Sequence, residues 1–157
     1  MEAPKITHVL EDYLKAIYIL MEDGQPVIAA RMAAEAGVSA STIFATLRRL
    51  EKDGYVTINR RKEIHLTTEG KKIAERTVRR HFLTERFLTD LLGLDWVKAH
   101  QEAHRLEHAI SQEVEERLAK LLNNPLTCPH GNRIPGAGEV NLSKTMPLND
   151  ANDGQTV

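Results

Sequence analysis

The chain has 157 residues, 41% of them hydrophobic and 27% charged, with a formal net charge of −1 and a single cysteine, Cys128. That length buries one good core or two small ones, and a lone thiol excludes an intrachain disulfide and the cysteine-rich zinc motifs. No apolar run approaches the roughly 20 residues of a membrane span, and MEAPKITHVLEDYL lacks the basic and apolar regions of a secretory leader, so a cytoplasmic soluble protein is expected.

Residues 7–22, THVLEDYLKAIYILME, set Val9, Leu10, Tyr13, Leu14, Ile17 and Leu20 at helical spacing, with Asp23-Gly24 as a stop signal. A short alanine-rich helix follows in VIAARMAAEAG and closes at Gly37. VSASTIFATLRRLEKDG predicts another, opened by Ser39 as N-cap and closed at Gly54. The pattern then changes to period two, YVTI, NRRKE, IHLT, which predicts a two-stranded hairpin with a basic tip. Helix, turn, helix and basic hairpin make a winged helix-turn-helix.

Charge is divided along the chain in a way that supports this. Residues 1–23 carry −3, residues 24–80 carry +6 and residues 81–157 carry −4. The basic middle suits a polyanion. Ser39, Ser41, Thr42, Thr46 and Arg49 on the later helix are the candidates for positioning and base readout, while Arg60, Arg61 and Lys62 at the hairpin tip would add salt-sensitive backbone contacts. The bland alternative, a merely solvated basic helix, loses ground to the adjoining basic hairpin.

A long helix is expected from Thr67 or Thr68 to Gly93 or just before it. DWVKAHQEAHRLEHAISQEVEERLAKLL then predicts one further helix, with Asp95 as N-cap and Val97, Ala103, Leu106, Ile110, Val114, Leu118 and Leu121 as its apolar stripe. The expected domains are a winged-helix DNA-binding domain over residues 1–72, a helical dimerisation and metal-binding domain over 73–140, and a flexible tail over 141–157. The fold class is mainly α.

On that further helix, His100, His104, Glu107 and His108 fall within an arc of roughly 100°, at about 100° per residue. His81 and Glu85, four apart on the preceding helix, can meet them across an antiparallel pair, which is how helical bundles build metal sites. HRLEH, residues 104–108, also matches the H-x-x-E-H pattern of inverted zinc metallopeptidases, in which Glu107 would activate a zinc-bound water between His104 and His108. The short downstream sequence leaves little room for the further ligand and cleft of such an enzyme. Cys128 and His130 in CPHG offer a thiol and an imidazole two residues apart, a weak signal that is better read as a loop.

LEDYLKAIYIL, LRRLEKDGYV, LTTEGKKIA, RRHFLTERFL, EAHRLEHAISQEVEERL and CPHGNRIPG, in that order, resemble the diphtheria toxin repressor and manganese transport regulator family of metal-dependent transcriptional repressors, over residues 7 to about 138. The resemblance implies a winged-helix domain followed by a helical dimerisation domain; the SH3-like third domain of the iron branch is not expected in this length. It implies one metal site at Asp12, His104, Glu107 and His108 and a second at His81, Glu85 and His100. Histidine stands at 104, where the iron branch has cysteine and the manganese branch glutamate. Lys15 stands where the manganese branch has a further glutamate. Phe82 and Cys128 occupy positions where the iron branch can hold an anion, and Asn132 alone remains of that pocket.

The implied function is a metal-activated repressor, not an enzyme, that binds a palindromic operator as a homodimer and controls metal-uptake genes. Imidazoles and carboxylates suit several divalent ions, with Mn(II) placed first and Zn(II) or Fe(II) after it. A constitutive DNA-binding protein with a structural metal is the alternative.

Overall fold

The computed structural model describes residues 6–138. The expected tail at 141–157 and the end of the second expected domain lie outside them. Helix α1 spans His8–Glu22, α2 Ala29–Ala36 and α3 Ala40–Lys52. Strands β1, Val56–Ile58, and β2, Ile64–Leu66, pair antiparallel with Val56 opposite Leu66 and Ile58 opposite Ile64. The mainly helical class and the winged helix-turn-helix are therefore present.

Local chemistry accounts for these boundaries. Gly37 ends α2 at φ 62°, a left-handed conformation that glycine adopts without strain. Ser39 Oγ accepts from the Thr42 amide at 3.2 Å, capping α3 as its sequence predicts. The apolar side of each helix closes one core: Leu10, Leu14, Ile17 and Leu20 of α1 meet Met32, Ile43, Leu47 and Leu50, with Val56 and Ile64 from the hairpin. The backbone of α4 enters this domain closely. A Cβ on Gly70 would lie 2.0 Å from the Tyr55 carbonyl oxygen, so only glycine fits there.

Helix α4 spans Thr68–Arg86 and is the spine shared by both halves. Its Ala74 belongs to the first core, whereas Val78, Phe82 and Leu83 join Ala119, Cys128 and Ile134 in a second. It continues into a π-helical turn, Phe87–Leu91, in which the Leu92 amide reaches the Phe87 carbonyl, and the chain turns away at Gly93 with φ 69°.

The predicted helix from Asp95 to Leu121 is two helices. Helix α5 covers Trp96–Leu106 and α6 covers Gln112–Leu121. Asp95 caps the first, and Ser111 Oγ caps the second by accepting from the Val114 amide at 3.2 Å. Between them the Leu106 carbonyl accepts from the amides of Ala109 and Ile110, closing a turn that ends the helix. The proposed apolar stripe is broken with it: Ala103 is buried, but Val97, Leu106, Val114 and Leu121 are exposed. Among the described residues no helix is long and apolar enough to cross a membrane.

Candidate metal centre and DNA-reading surface

Helix α4 brings His81 and Glu85 to the face it packs against α5, which supplies His100. His81 Nε2 lies 3.1 Å from Glu85 Oε1 and 3.1 Å from His100 Nδ1, and His100 Nδ1 lies 2.7 Å from the same carboxylate oxygen. Three donors thus converge. His81 and Glu85 are buried, while His100 opens to solvent.

The other group forms where the α5–α6 turn meets α1. His108 Nε2 is 2.9 Å from Asp12 Oδ1 and 3.4 Å from Glu107 Oε1, so Asp12, Glu107 and His108 share one small volume. His104 stands at its edge: it is half exposed, with Nδ1 3.3 Å from Glu107 Oε1 and 3.9 Å from Asp12 Oδ1. Glu107 is the C-cap of α5, and His108 lies beyond the helix. The helical projection that put all four on one face does not extend to them; the turn, not the helix period, aims them.

The two groups have the same construction. His81 Nδ1 faces Glu107 Oε2 at 2.5 Å, and His108 Nδ1 faces Glu11 Oε2 at 2.7 Å. In each, a carboxylate behind the ring can accept from Nδ1 and leaves Nε2 aimed at the other donor atoms of its group, the carboxylate–histidine arrangement that orients imidazole ligands on metals. Glu107 serves both, with Oε2 behind His81 and Oε1 in front of His108. Lys15 also enters, its Nζ 2.6 Å from Glu107 Oε1 and 3.3 Å from His104 Nδ1.

Electrostatics follow this geometry. Burial alone would lower the His81 pKa, but its hydrogen bonds to Glu107 and Glu85 outweigh that and hold it above the ordinary histidine value. Burial would raise Glu85, yet the His81 hydrogen bond and charge, with the His100 hydrogen bond, bring it down to about 2. Glu107 is lowered for the same reason, against its burial, by His81 and Lys15. Such carboxylates are ionised and ready to take a cation. Nitrogen and oxygen donors at this spacing, and a buried Glu85 Oε2 without a hydrogen-bond partner among the described residues, fit a divalent metal ion.

The sequence pattern does not single out Glu11, and it offers Cys128 and His130 only as a weak metal signal better read as a loop. Glu11 is adjacent to Asp12 on α1, but nothing in its spacing announces a partner 97 residues away. The Cys128 and His130 donors lie beside Glu85, with His130 Nδ1 3.5 Å from its Oε2. The CPHG stretch itself was the available signal.

In the winged helix-turn-helix, Ser39, Ser41 and Thr42 form an exposed hydroxyl cluster at the start of α3, with Ser39 Oγ 2.8 Å from Ser41 Oγ and 2.9 Å from Thr42 Oγ1. Thr46 is partly turned back, donating to the Thr42 carbonyl at 3.0 Å, and Arg49 is exposed beside Asp53. Arg60, Arg61 and Lys62 project from the hairpin tip, which Asn59 Oδ1 shapes by accepting from the Arg61 and Glu63 amides. Phe44, one turn after Ser41, exposes 55% of its surface and was not singled out by the sequence pattern.

Comparison with known proteins gives matches to both halves of the chain. Residues 5–64 match the N-terminal DNA-binding domain of iron-dependent repressors, and residues 67–136 match their metal-binding and dimerisation domain. The chain is 40% identical over 148 residues to the iron-dependent repressor IdeR of Mycobacterium tuberculosis, covering 94% of this chain and 64% of that protein's length. A solved manganese-dependent transcriptional repressor in complex with manganese matches with a TM-score of 0.75 and 40% identity, over 82% of this chain and 59% of that one. The structure of ScaR with bound Cd2+ matches with a TM-score of 0.72 and 32% identity, over 92% of this chain and 68% of that one. With a winged helix, a two-group histidine–carboxylate cluster and both domain matches in the same order, the chain belongs to the iron-dependent repressor family.

Proposed function

We propose that this protein is a metal-activated transcriptional repressor that binds a palindromic operator as a homodimer and controls metal-uptake genes. The observation that carries the proposal is the origin of the Asp12, Glu107 and His108 group: Asp12 comes from α1, the first helix of the DNA-reading half, and the other two come from the turn after α5. A cation held there ties the two halves together. If it binds the DNA-competent arrangement more tightly than the relaxed one, it shifts the population toward it, and DNA strengthens metal binding by the same factor.

Asp12, His104, Glu107 and His108 are the proposed ligands of one site and His81, Glu85 and His100 of the other. Mn(II) is the first choice for the all-nitrogen-and-oxygen site, with Fe(II) or Zn(II) next. Operator contacts are assigned to Ser39, Ser41, Thr42, Thr46 and Arg49 in the major groove and to Arg60, Arg61 and Lys62 on phosphates. Leu91, Leu92, Trp96 and Val97, all more than half exposed around the turn that leads into α5, are the apolar surface offered to a second copy. The hydrolase alternative is disfavoured because both oxygens of Glu107 are taken, one by Lys15 and one by His81.

The test is operator binding by the purified protein during titration with Mn(II), Fe(II) and Zn(II). Affinity for operator that rises with metal supports the proposal. Metal-independent affinity supports the constitutive alternative and sinks it.

A further inference from the structure

The outward side of α3 carries residues that the proposed operator contacts do not include. At about 100° per residue, Ser41, Phe44, Ala45 and Arg48 fall within an arc of about 100° on the side away from buried Ile43, Leu47 and Leu50, and all four are exposed. Thr46 lies toward the core side, half-buried, with its hydroxyl donating to the Thr42 carbonyl at 3.0 Å. Arg49 stands on the flank, with Nε 3.8 Å from Asp53 Oδ2. The line that leads outward is therefore a hydroxyl, a ring, a methyl and a guanidinium.

The ring on that line is unusual for a surface helix. Phe44 exposes 55% of its surface, and its neighbours one turn away on α3 are Ala40, Ser41, Leu47 and Arg48. Leu47 is the one large apolar residue among them, and it is buried. A ring standing alone among hydroxyls and cations is a poor anchor for an apolar protein surface, which presents a contiguous patch on the order of a few hundred Å². Its surroundings suit a polyanion instead, since residues 24–80 carry +6. In the major groove of B-DNA, the apolar group within reach of a helix is the C5-methyl of thymine, and phosphates frame it on both sides. The chemistry of α3 matches that groove, with a ring for the methyl and hydroxyls and a guanidinium around it.

We infer that Phe44 is a specificity-determining residue, packing its ring on a thymine methyl group in each half of the operator. This deepens the proposed function and rests on its reading of α3 as the helix that enters the major groove. The contact is uncharged, so it discriminates thymine from the other bases without adding to the salt dependence of binding. It also assigns sequence readout to a residue that makes no hydrogen bond through its side chain, whereas the hydroxyls of Ser39 and Thr46 are already engaged with the backbone of α3.

The test starts from a pool of random DNA duplexes, selected by the full chain with and without Mn(II). The enriched duplex is then remade with deoxyuridine in place of thymidine, one symmetric pair of positions at a time, which removes the methyl and nothing else. At one such pair the wild-type protein is expected to lose about fourfold in affinity per half-site, the worth of one buried methyl. In Phe44→Ala that penalty disappears, while affinity for an unrelated duplex and the slope of log affinity against log salt stay as in the wild type. Circular dichroism establishes that the variant folds, and Phe44→Gln, a polar helix former at the same place, repeats the measurement by a second route. A wild-type protein indifferent to every methyl, or a penalty retained in either folded variant, overturns the inference and leaves the proposed function standing. An equal loss on all duplexes in Phe44→Ala overturns it too, because that is the mark of a structural role. Enrichment of no duplex by the wild-type protein, with or without Mn(II), sinks the proposed function and this inference together.

Discussion

Both oxygens of Glu107 are in use, and the partner of one of them is a lysine. Lys15 Nζ sits 2.6 Å from Oε1, on the side where Asp12 and His108 gather. A fixed ammonium there satisfies a buried carboxylate in the metal-free protein and repels an incoming cation. Lys15→Ala is therefore expected to lower the thermal stability of the metal-free protein while tightening Mn(II) binding by about tenfold, close to 1.4 kcal/mol. Calorimetric titration and melting curves check the two halves; weaker binding in the variant would show Lys15 to be an organiser of the site. Neither the Lys15–Glu107 nor the Glu11–His108 contact was legible, because the partners lie more than ninety residues apart and residue spacing carries no information across that distance.

His81 sets the pH behaviour. Its pKa is raised, so the stabilisation from its bonds to Glu107 and Glu85 is fully present below the ordinary histidine value of 6.5 and is lost as pH rises through the higher folded value. Glu85 is lowered from 4.5 to about 2, so its contribution is present above 4.5 and disappears as pH falls toward 2. The metal-free protein should gain most from this cluster between these limits. Metal binding at Nε2 must displace a proton held more tightly than in a free histidine. Proton release on metal addition should accordingly persist above pH 6.5, measured by titration calorimetry in buffers of different ionisation enthalpy, and should shrink in His81→Ala.

At the scale of elements, the first three helices and the hairpin were legible because caps, glycines and a change of period mark them. Ser39 caps α3 and Gly37 closes α2 where the pattern puts them. The break between α5 and α6 was not, because residues 95–121 keep helix-forming composition throughout and hydrophobic spacing carries across the turn. Ser111, followed by Glu113 and Glu115 in the first turn of α6, was the available start signal. That break shapes the proposed metal site, since it carries Glu107 and His108 off the helical path and toward α1. Ser111→Ala is expected to cost about 1 kcal/mol in chemical denaturation. It should also weaken metal binding, because the cap fixes the end of the turn that carries the proposed ligands Glu107 and His108. Gly70 is a second such point: Gly70→Ala drives a Cβ into the Tyr55 carbonyl oxygen and should destabilise the protein by about 1–3 kcal/mol.

Over the whole molecule, the proposed metal ligands and the proposed reading residues lie on different elements, so a variant in one set can be separated from a variant in the other. Asp12 contributes a carboxylate to the cluster from the DNA-reading half, whereas Arg61 is on the exposed hairpin tip, far along the chain from the apolar surface at Leu91 to Val97. Asp12→Ala should weaken operator binding in the presence of Mn(II) and leave both the dimer and the salt dependence of the remaining binding as they were. Arg61→Ala should leave metal affinity unchanged, weaken binding to operator and unrelated DNA alike, and reduce the slope of log affinity against log salt by about one for a lost phosphate contact. Fluorescence anisotropy at several salt concentrations, with sedimentation to follow the dimer, tells the two apart. Dissociation of Asp12→Ala into monomers would place Asp12 in assembly, not in the link between the two halves.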